Sequence, residues 1–264
     1  MRLLAVAVEG RGVVDPAEPV FPASDEALLR GNAAFETIRV RGRQAVLLDE
    51  HVARLEHSAA VLRLPDPRDA TRLAVQAVAA AGVEEAVLRL YRTQTALVAA
   101  VAPLPAGLAE LRARGIALAS VRGVPTELLA GVKATSYAFN LAARAQAERA
   151  GADDALLVGP GDAVLEAATA NVWWRDGDVL STPAAAAGVL PGVTRAVLAG
   201  LARGLGLGVR EGVFTTGLLE RAEEAFTSSA VREVMPVVML DGRPIGDGRP
   251  GDAARRLQAA LEEA

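Results

Sequence analysis

Lys133 is the only lysine in a chain of 264 residues; every other member of its 28 Lys and Arg residues is arginine. On a solvated face the two cations are nearly interchangeable. A drift from lysine to arginine under G/C pressure would therefore have taken this position as well, unless it needs something a guanidinium lacks. An ammonium can lose its proton near neutral pH and act as a nucleophilic amine, and a guanidinium cannot. The chemistry that most often asks for such an amine is a Schiff base to a carbonyl compound; the alternative is an accidental survivor. Other catalytic options are few. The chain has no cysteine, which removes disulfides, thiolate metal sites and cysteine nucleophiles together. With His51 and His57 as the only histidines, a histidine-rich metal site is excluded too, and no metal is expected.

Pyridoxal phosphate is one carbonyl compound a lone lysine could serve. Its site needs an amine, a carboxylate at the pyridinium nitrogen and donors for a dianionic phosphate. Glu166 is the candidate carboxylate. It follows Val164-Leu165 and precedes Ala167-Ala168-Thr169-Ala170-Asn171, a run of small residues that something bulky could approach. The competing reading of Glu166 is a solvated strand-end charge. Pro191-Gly192-Val193-Thr194-Arg195 is the candidate phosphate seat, because a glycine loop entering a helix leaves backbone N–H groups facing an anion. An ordinary proline-opened helix would look the same. Arg54 lies off the apolar stripe of its own helix and suits phosphate as a bidentate donor, or is simply a surface arginine. Thr227-Ser228-Ser229 offers further hydroxyls at a strand end, or is a polar loop.

The elements that must position these groups read as follows. Strands are expected at Leu3–Val8 and Ala33–Val40, with Arg41-Gly42-Arg43 turning the second into Gln44–Leu48. Asp49 reads as the N-cap of an amphipathic helix, with Val52, Leu55, Ala59 and Leu62 at helical spacing. A second helix spans Asp69–Ala81, and strands follow at Ala86–Thr93, Leu97–Val101 and Ile116–Val121. Arg122–Val132, with Gly123, Pro125 and Gly131, reads as a linker. It divides the chain into a smaller N-terminal domain (1–122), the linker (123–132) and a larger C-terminal domain (133–264). The second part alternates helices at Ser136–Ala150, Val193–Leu205 and Asp252–Glu263 with short strands and Asp-Gly turns. Hairpins mixed with helices predict an α+β chain and not a doubly wound parallel sheet. No Gly-x-Gly-x-x-Gly follows a strand, so a Rossmann site is not expected.

Composition narrows the classes. Hydrophobic content is 52 % but aromatics are only 3 %. The longest uncharged runs, Thr93–Ala109 and Val179–Thr194, each hold two prolines, so no membrane span is expected. The apolar run between Arg2 and Glu9 is too short for a signal peptide. A net charge of −4 without a basic block argues against nucleic acid. A cytoplasmic protein is the expectation.

Taken in order, these segments resemble the fold-type IV pyridoxal-phosphate enzymes, which include branched-chain aminotransferases, D-amino-acid aminotransferases and aminodeoxychorismate lyases. The resemblance runs over nearly the whole chain. It is carried by Phe35-Glu36-Thr37-Ile38-Arg39, His51-Val52-Ala53-Arg54-Leu55, Lys133 through Asn140, Gly151-Ala152-Asp153-Asp154-Ala155, Leu165 through Asn171, Leu190 through Arg195, and Arg232 through Val237. It implies a two-domain fold, a smaller N-terminal α/β sandwich and a larger mixed β domain with helices, paired as a homodimer. It implies that Lys133 forms the Schiff base and shuttles the proton, and that Glu166 binds the pyridine nitrogen. Arg54 and the backbone N–H groups of Val193 and Thr194 would hold the phosphate, and Tyr137 would reach the phenolic oxygen. The sequence departs from the pattern at Ala230, where a phosphate-touching hydroxyl is frequent; Ser229 is the expected substitute. It departs again at Val87, where branched-chain enzymes carry an aromatic residue, and those enzymes are longer.

Within the family, Lys133-Ala134-Thr135-Ser136-Tyr137 with Asn140, and Phe35-Glu36-Thr37, look more like the lyases. That reading expects 4-amino-4-deoxychorismate to be converted to 4-aminobenzoate and pyruvate. Thr37 would assist proton transfer at the leaving group, unless it is only a β-branched strand residue, and Arg39 and Arg89 are candidate carboxylate binders. The rival is an aminotransferase for a branched-chain or D-amino acid, using the same Lys133, Glu166 and phosphate residues. A third reading is a cofactor-free binding protein on the same scaffold.

Overall fold

The computed structural model describes residues 2–124 and 127–263, so Pro125 of the expected linker lies outside the described residues. By contacts the chain forms two compact units, Met1–Ala106 with Val132–Tyr137, and Gly107–Gly131 with Ala138–Ala264.

The first unit runs β1 (Ala5–Val8), β2 (Gly12–Val14), α1 (Glu26–Arg30), β3 (Ala34–Arg41), β4 (Gln44–Ala45), α2 (Leu48–Val61), α3 (Ala70–Ala81), β5 (Glu85–Arg92) and β6 (Leu97–Ala102). Among the described residues its sheet has six strands, all antiparallel, in the order β2-β1-β6-β5-β3-β4. Strict alternation sorts the residues of β3. Ala34, Glu36, Ile38 and Val40 are buried on one face, while Phe35, Thr37, Arg39 and Arg41 are half-buried on the other. The first face packs on Val52, Leu55 and Ala59 of α2 and on Leu73, Ala74 and Ala77 of α3. The expected hairpin and helix are present, but Leu47, in the left-handed region at φ 54°, is the N-cap, and Asp49 falls within the first turn of α2.

The second unit runs α4 (Leu108–Arg114), β7 (Ile116–Arg122), α5 (Ala138–Arg149), β8 (Asp154–Val158), β9 (Val164–Ala167), β10 (Asn171–Asp176), β11 (Val179–Pro183), α6 (Val193–Gly204), β12 (Gly208–Gly212), α7 (Thr216–Glu220), β13 (Glu224–Ser229), β14 (Glu233–Leu240), β15 (Arg243–Pro244) and α8 (Asp252–Glu263). Among the described residues these strands form a nine-stranded mixed sheet, β12-β11-β10-β13-β14-β7-β8-β9, with β15 on β14. Helices α6 and α8 cover Trp173, Phe226 and Val234, and α5 covers Val121, Ala155 and Leu157. The fold is α+β, as expected.

The expected boundary at residues 132 and 133 runs through a segment that hydrogen-bonds to the first unit. The Phe35 N–H donates to the Lys133 carbonyl (3.0 Å), the Thr135 N–H donates to the Ala33 carbonyl (2.8 Å), and Ala134 bridges Ala34. Because Ala34 already pairs with Arg92 on β5, the segment lies along the opposite edge of β3. Gly31, left-handed at φ 69°, admits this approach: a Cβ there would stand 2.9 Å from the Ser136 Cα. Among the described residues no helix is long and apolar enough to cross a membrane.

Candidate active site

In the first unit the lone lysine sits on this added edge. The Lys133 N–H donates to the Ser58 Oγ of α2 (3.1 Å), so both its backbone groups are engaged. Its Nζ stands 4.4 Å from the Phe35 ring centroid and 5.9 Å from that of Tyr137. The two rings meet edge to face at 5.6 Å. Phe35 therefore braces the lysine with its backbone and its ring.

One residue further along β3, on the opposite face, Glu36 is fully buried. Its Oε1 accepts from Arg54 Nε (2.8 Å), and its Oε2 pairs with both Arg54 Nη2 (2.8 Å) and His51 Nδ1 (2.7 Å). Burial alone would push this carboxyl up, but the hydrogen bonds and charge of Arg54 and His51 outweigh it and hold it at about 2. Arg54 is thus fixed as a guanidinium on a compensating anion. The sequence read Arg54 as lying off the packing stripe; it did not reveal the bonds of Glu36 to Arg54 and His51, or that of Ser58 to Lys133.

The half-buried face of the six-stranded sheet carries the other candidates. Thr37 is directly opposite Arg89, Phe35 opposite Tyr91, and Arg39 opposite Val87. Cross-strand partners share a face, so Thr37 and Arg89 are neighbours on the face that Phe35 occupies. Arg39 is held by Glu85, with Nε donating to Oε2 at 3.0 Å and Nη2 donating to the same oxygen. Burial pushes the Tyr91 hydroxyl up, partly offset by Arg89.

In the second unit Glu166 lies within β9, one residue short of its end. Its Oε2 accepts from Asn171 Nδ2 (3.1 Å) and from the Leu190 N–H (3.3 Å), and the same Asn171 amide donates to the Leu190 carbonyl (2.9 Å). Gly192 follows as the N-cap of α6 and closes tightly on Asn171: a Cβ there would fall 2.0 Å from Asn171 Oδ1. Among the described residues no side chain caps α6, and its first ladder bond runs from the Ala196 N–H to the Gly192 carbonyl. The N–H groups of Val193 and Thr194 precede that ladder, at the positive end of the helix dipole. Arg195, by contrast, turns inward to the Pro183 carbonyl (2.9 Å) and Glu211 (2.8 Å).

The three hydroxyls of the Thr-Ser-Ser run separate. Thr227 pairs in register with Val172 and Met235 on the buried face, and its Oγ1 has no partner among the described residues. Ser228 Oγ accepts from Trp173 Nε1 (2.9 Å). Only Ser229 is partly exposed, its Oγ accepting from the Arg232 N–H (3.3 Å). Asn171 was legible only as the end of a small-residue run, and nothing in its neighbours signalled its hydrogen bonds.

These donor sets fit pyridoxal phosphate chemically. They comprise a lysine amine, a carboxylate oriented by two donors, and an uncapped helix start whose glycine cannot take a Cβ. The comparisons agree. The family model described as "Amino-transferase class IV" matches residues 33–240. A bifunctional aminodeoxychorismate lyase / D-amino acid transaminase of Mycobacterium tuberculosis is 31 % identical, over 91 % of this chain and 92 % of that protein. Among solved structures, the PLP-bound form of a hypothetical aminotransferase from Mycobacterium tuberculosis superposes with a TM-score of 0.88 at 27 % identity, covering 98 % of this chain and 97 % of that one. The branched-chain amino acid aminotransferase of Escherichia coli gives 0.89 at 26 % identity, covering 99 % and 94 %. The chain belongs to the class IV aminotransferase family. It is a fold-type IV enzyme, and its cofactor is pyridoxal 5'-phosphate.

Proposed function

We propose that this enzyme converts 4-amino-4-deoxychorismate to 4-aminobenzoate and pyruvate. The observation that carries this reading is the pairing of Thr37 with Arg89 on the sheet face of Phe35, the ring beneath Lys133 Nζ. A hydroxyl and a guanidinium side by side suit a substrate whose leaving group is an enolpyruvyl ether bearing a carboxylate. Likeness to the bifunctional lyase and transaminase supports it.

Bound pyridoxal phosphate supplies an electron sink for the carbon that loses its proton. Lys133 would hold the cofactor at its aldehyde, and its amine takes the proton from the substrate carbon that bears the amino nitrogen. Glu166, oriented by Asn171 and Leu190, holds the ring nitrogen protonated. Arg54, the N–H groups of Val193 and Thr194, and the Ser229 hydroxyl hold the phosphate, and Tyr137 donates to the phenolic oxygen. Arg89, directly opposite Thr37, takes a substrate carboxylate; Arg39, opposite Val87, plays a smaller part. The carbon–oxygen bond breaks, Thr37 passes a proton to the departing enolpyruvate and regains the one that Lys133 took, and the ring aromatises. The proposed assembly is a homodimer.

A second reading, transamination of a branched-chain or D-amino acid, is favoured by the likeness to the branched-chain aminotransferase structure. In it the same Lys133 amine moves the proton, and no carbon–oxygen bond of the substrate breaks. One experiment separates them: amino acids are added to the holoenzyme without any keto acid. An unchanged visible spectrum, with pyruvate released from aminodeoxychorismate, supports the lyase. Conversion to the pyridoxamine form without pyruvate release from aminodeoxychorismate overturns it in favour of the aminotransferase.

A further inference from the structure

Helix α2 carries three polar side chains on one face, His51, Arg54 and Ser58, beside the apolar stripe of Val52, Leu55 and Ala59. The first two meet Glu36. Ser58 does something different: it is fully buried, and its hydroxyl oxygen accepts the N–H of Lys133 at 3.1 Å. Arg54 and Ser58 are four residues apart, one helical turn, with side chains that rise from neighbouring points on a rigid rod. The partner strand repeats the arrangement. Glu36 fixes the Arg54 guanidinium through two hydrogen bonds, and the adjacent Phe35 donates its N–H to the Lys133 carbonyl at 3.0 Å. Consecutive residues of β3 and consecutive turns of α2 therefore hold the same two groups, one at each end.

We propose that Ser58 is a positioning residue for the Schiff-base lysine, setting the distance from its amine to Arg54 through the Lys133 backbone. The inference rests on the reading of Lys133 as the cofactor's amine. A cofactor held at its phosphate presents its aldehyde at a fixed distance, so the amine must stand where the aldehyde arrives. Peptide groups on both sides of the Lys133 Cα are pinned, one by Ser58 and one by Phe35. Removing the hydroxyl releases the first and leaves the phosphate end untouched. Near-attack geometry tolerates little displacement of this kind.

The test compares two forms of the cofactor. Pyridoxal phosphate must bond to Lys133, whereas pyridoxamine phosphate binds without that bond. In Ser58→Ala the dissociation constant for pyridoxal phosphate is expected to rise by about fivefold or more, the weight of one net hydrogen bond. That for pyridoxamine phosphate is expected to stay within about twofold, as only phosphate and ring contacts are then sampled. Ser58→Cys, with a weaker acceptor, should fall between, and it serves as the measurement if the alanine variant does not fold. A parallel loss for both forms would assign Ser58 a merely structural role and overturn the proposal, as would no change in either. The parent reading is checked separately in the wild type, where borohydride reduction must fix the cofactor to Lys133. If it does not, the cofactor reading fails whatever Ser58 does.

Discussion

Asn171 donates its side-chain amide to Glu166 at 3.1 Å, and the same nitrogen donates to the Leu190 carbonyl at 2.9 Å. One buried amide thereby joins the carboxylate of β9 to the loop that opens α6. The group proposed to hold the cofactor ring and the group proposed to hold its phosphate share a single brace. Asn171→Ala removes both bonds and leaves the Leu190 carbonyl without this donor. The expected cost is about 1–3 kcal/mol of stability. Weaker binding of both pyridoxal and pyridoxamine phosphate should accompany it. Denaturant unfolding of the apoenzyme and titration of each cofactor form measure the two effects. An Asn171→Ala variant with unaltered affinity for both would remove the brace from the account of the site.

Glu36 gives a prediction in pH. Burial alone would raise its carboxyl, but Arg54 and His51 hold it at about 2, below the ordinary 4.5. A carboxyl whose folded value is depressed contributes stability that is complete above its unfolded value and disappears as pH falls through the folded one. Stability should therefore decline between pH 4.5 and about 2 with a component that Glu36→Gln abolishes. At neutral pH the same variant leaves Arg54 without its buried anion, at an expected cost of about 3–5 kcal/mol. Urea unfolding of both proteins across this range checks the slope and the offset together.

How much of this was visible in the sequence depended on how far each residue's partner lay along the chain. Lys133 stood out by count, Arg54 by lying off its helix stripe, and the start of α6 by its Pro-Gly. Those signals are local. The bonds between Glu36 and His51 or Arg54, between Ser58 and Lys133, and between Asn171 and Leu190 join residues that no periodicity relates. The same limit explains the elements missed. Helix α1 is five residues long, too short for an apolar stripe, and its N-cap Asp25 is fixed by Thr93 of the β5–β6 turn at 2.7 Å. Helix α4 shows a single apolar turn, Leu108 and Leu111, and β2 has three residues. At α2, Asp49 looked like the cap because aspartate favours that role. The short connection from β4 instead puts Leu47 in the left-handed region and starts the helix at Leu48.

The tight closure of Gly192 on Asn171 predicts the effect of one added methyl. A Cβ would meet Asn171 Oδ1 at 2.0 Å, with Arg195 Cβ at 3.2 Å behind it. Either the amide rotates away from Glu166 or the first turn of α6 shifts. Overpacking of this kind costs about 1–3 kcal/mol. Gly192→Ala should therefore resemble Asn171→Ala in cofactor titrations. Combining the two changes should cost less than their sum, because alanine at 171 removes the atom that the new Cβ strikes. A double-mutant cycle on unfolding free energy measures that coupling, and strict additivity would count against the contact.

The two arginines on the sheet face should behave differently, although the sequence offered them as equals. Arg39 is held by Glu85 through two donors to one carboxylate oxygen. Arg89 lies beside Thr37 and shares the face of Phe35. Arg89 stands directly across from Thr37, the proposed proton donor, whereas Arg39 stands opposite Val87, two residues further along β3. Arg89→Ala should raise KM for a carboxylate-bearing substrate by about 10–100-fold, the weight of a charge-assisted hydrogen bond. Arg39→Ala should change KM by no more than about threefold, as a partly exposed ion pair is worth little. Thr37→Val keeps the β-branched shape and removes the hydroxyl. In the lyase reading it lowers kcat with KM nearly unchanged, whereas in the transaminase reading it leaves kcat for amino acids intact. Steady-state kinetics of the three variants, on aminodeoxychorismate and on an amino acid with its keto-acid acceptor, assign the arginine and test the role of the hydroxyl. Equal KM effects from Arg39 and Arg89 would refute the distinction drawn from their places on the sheet.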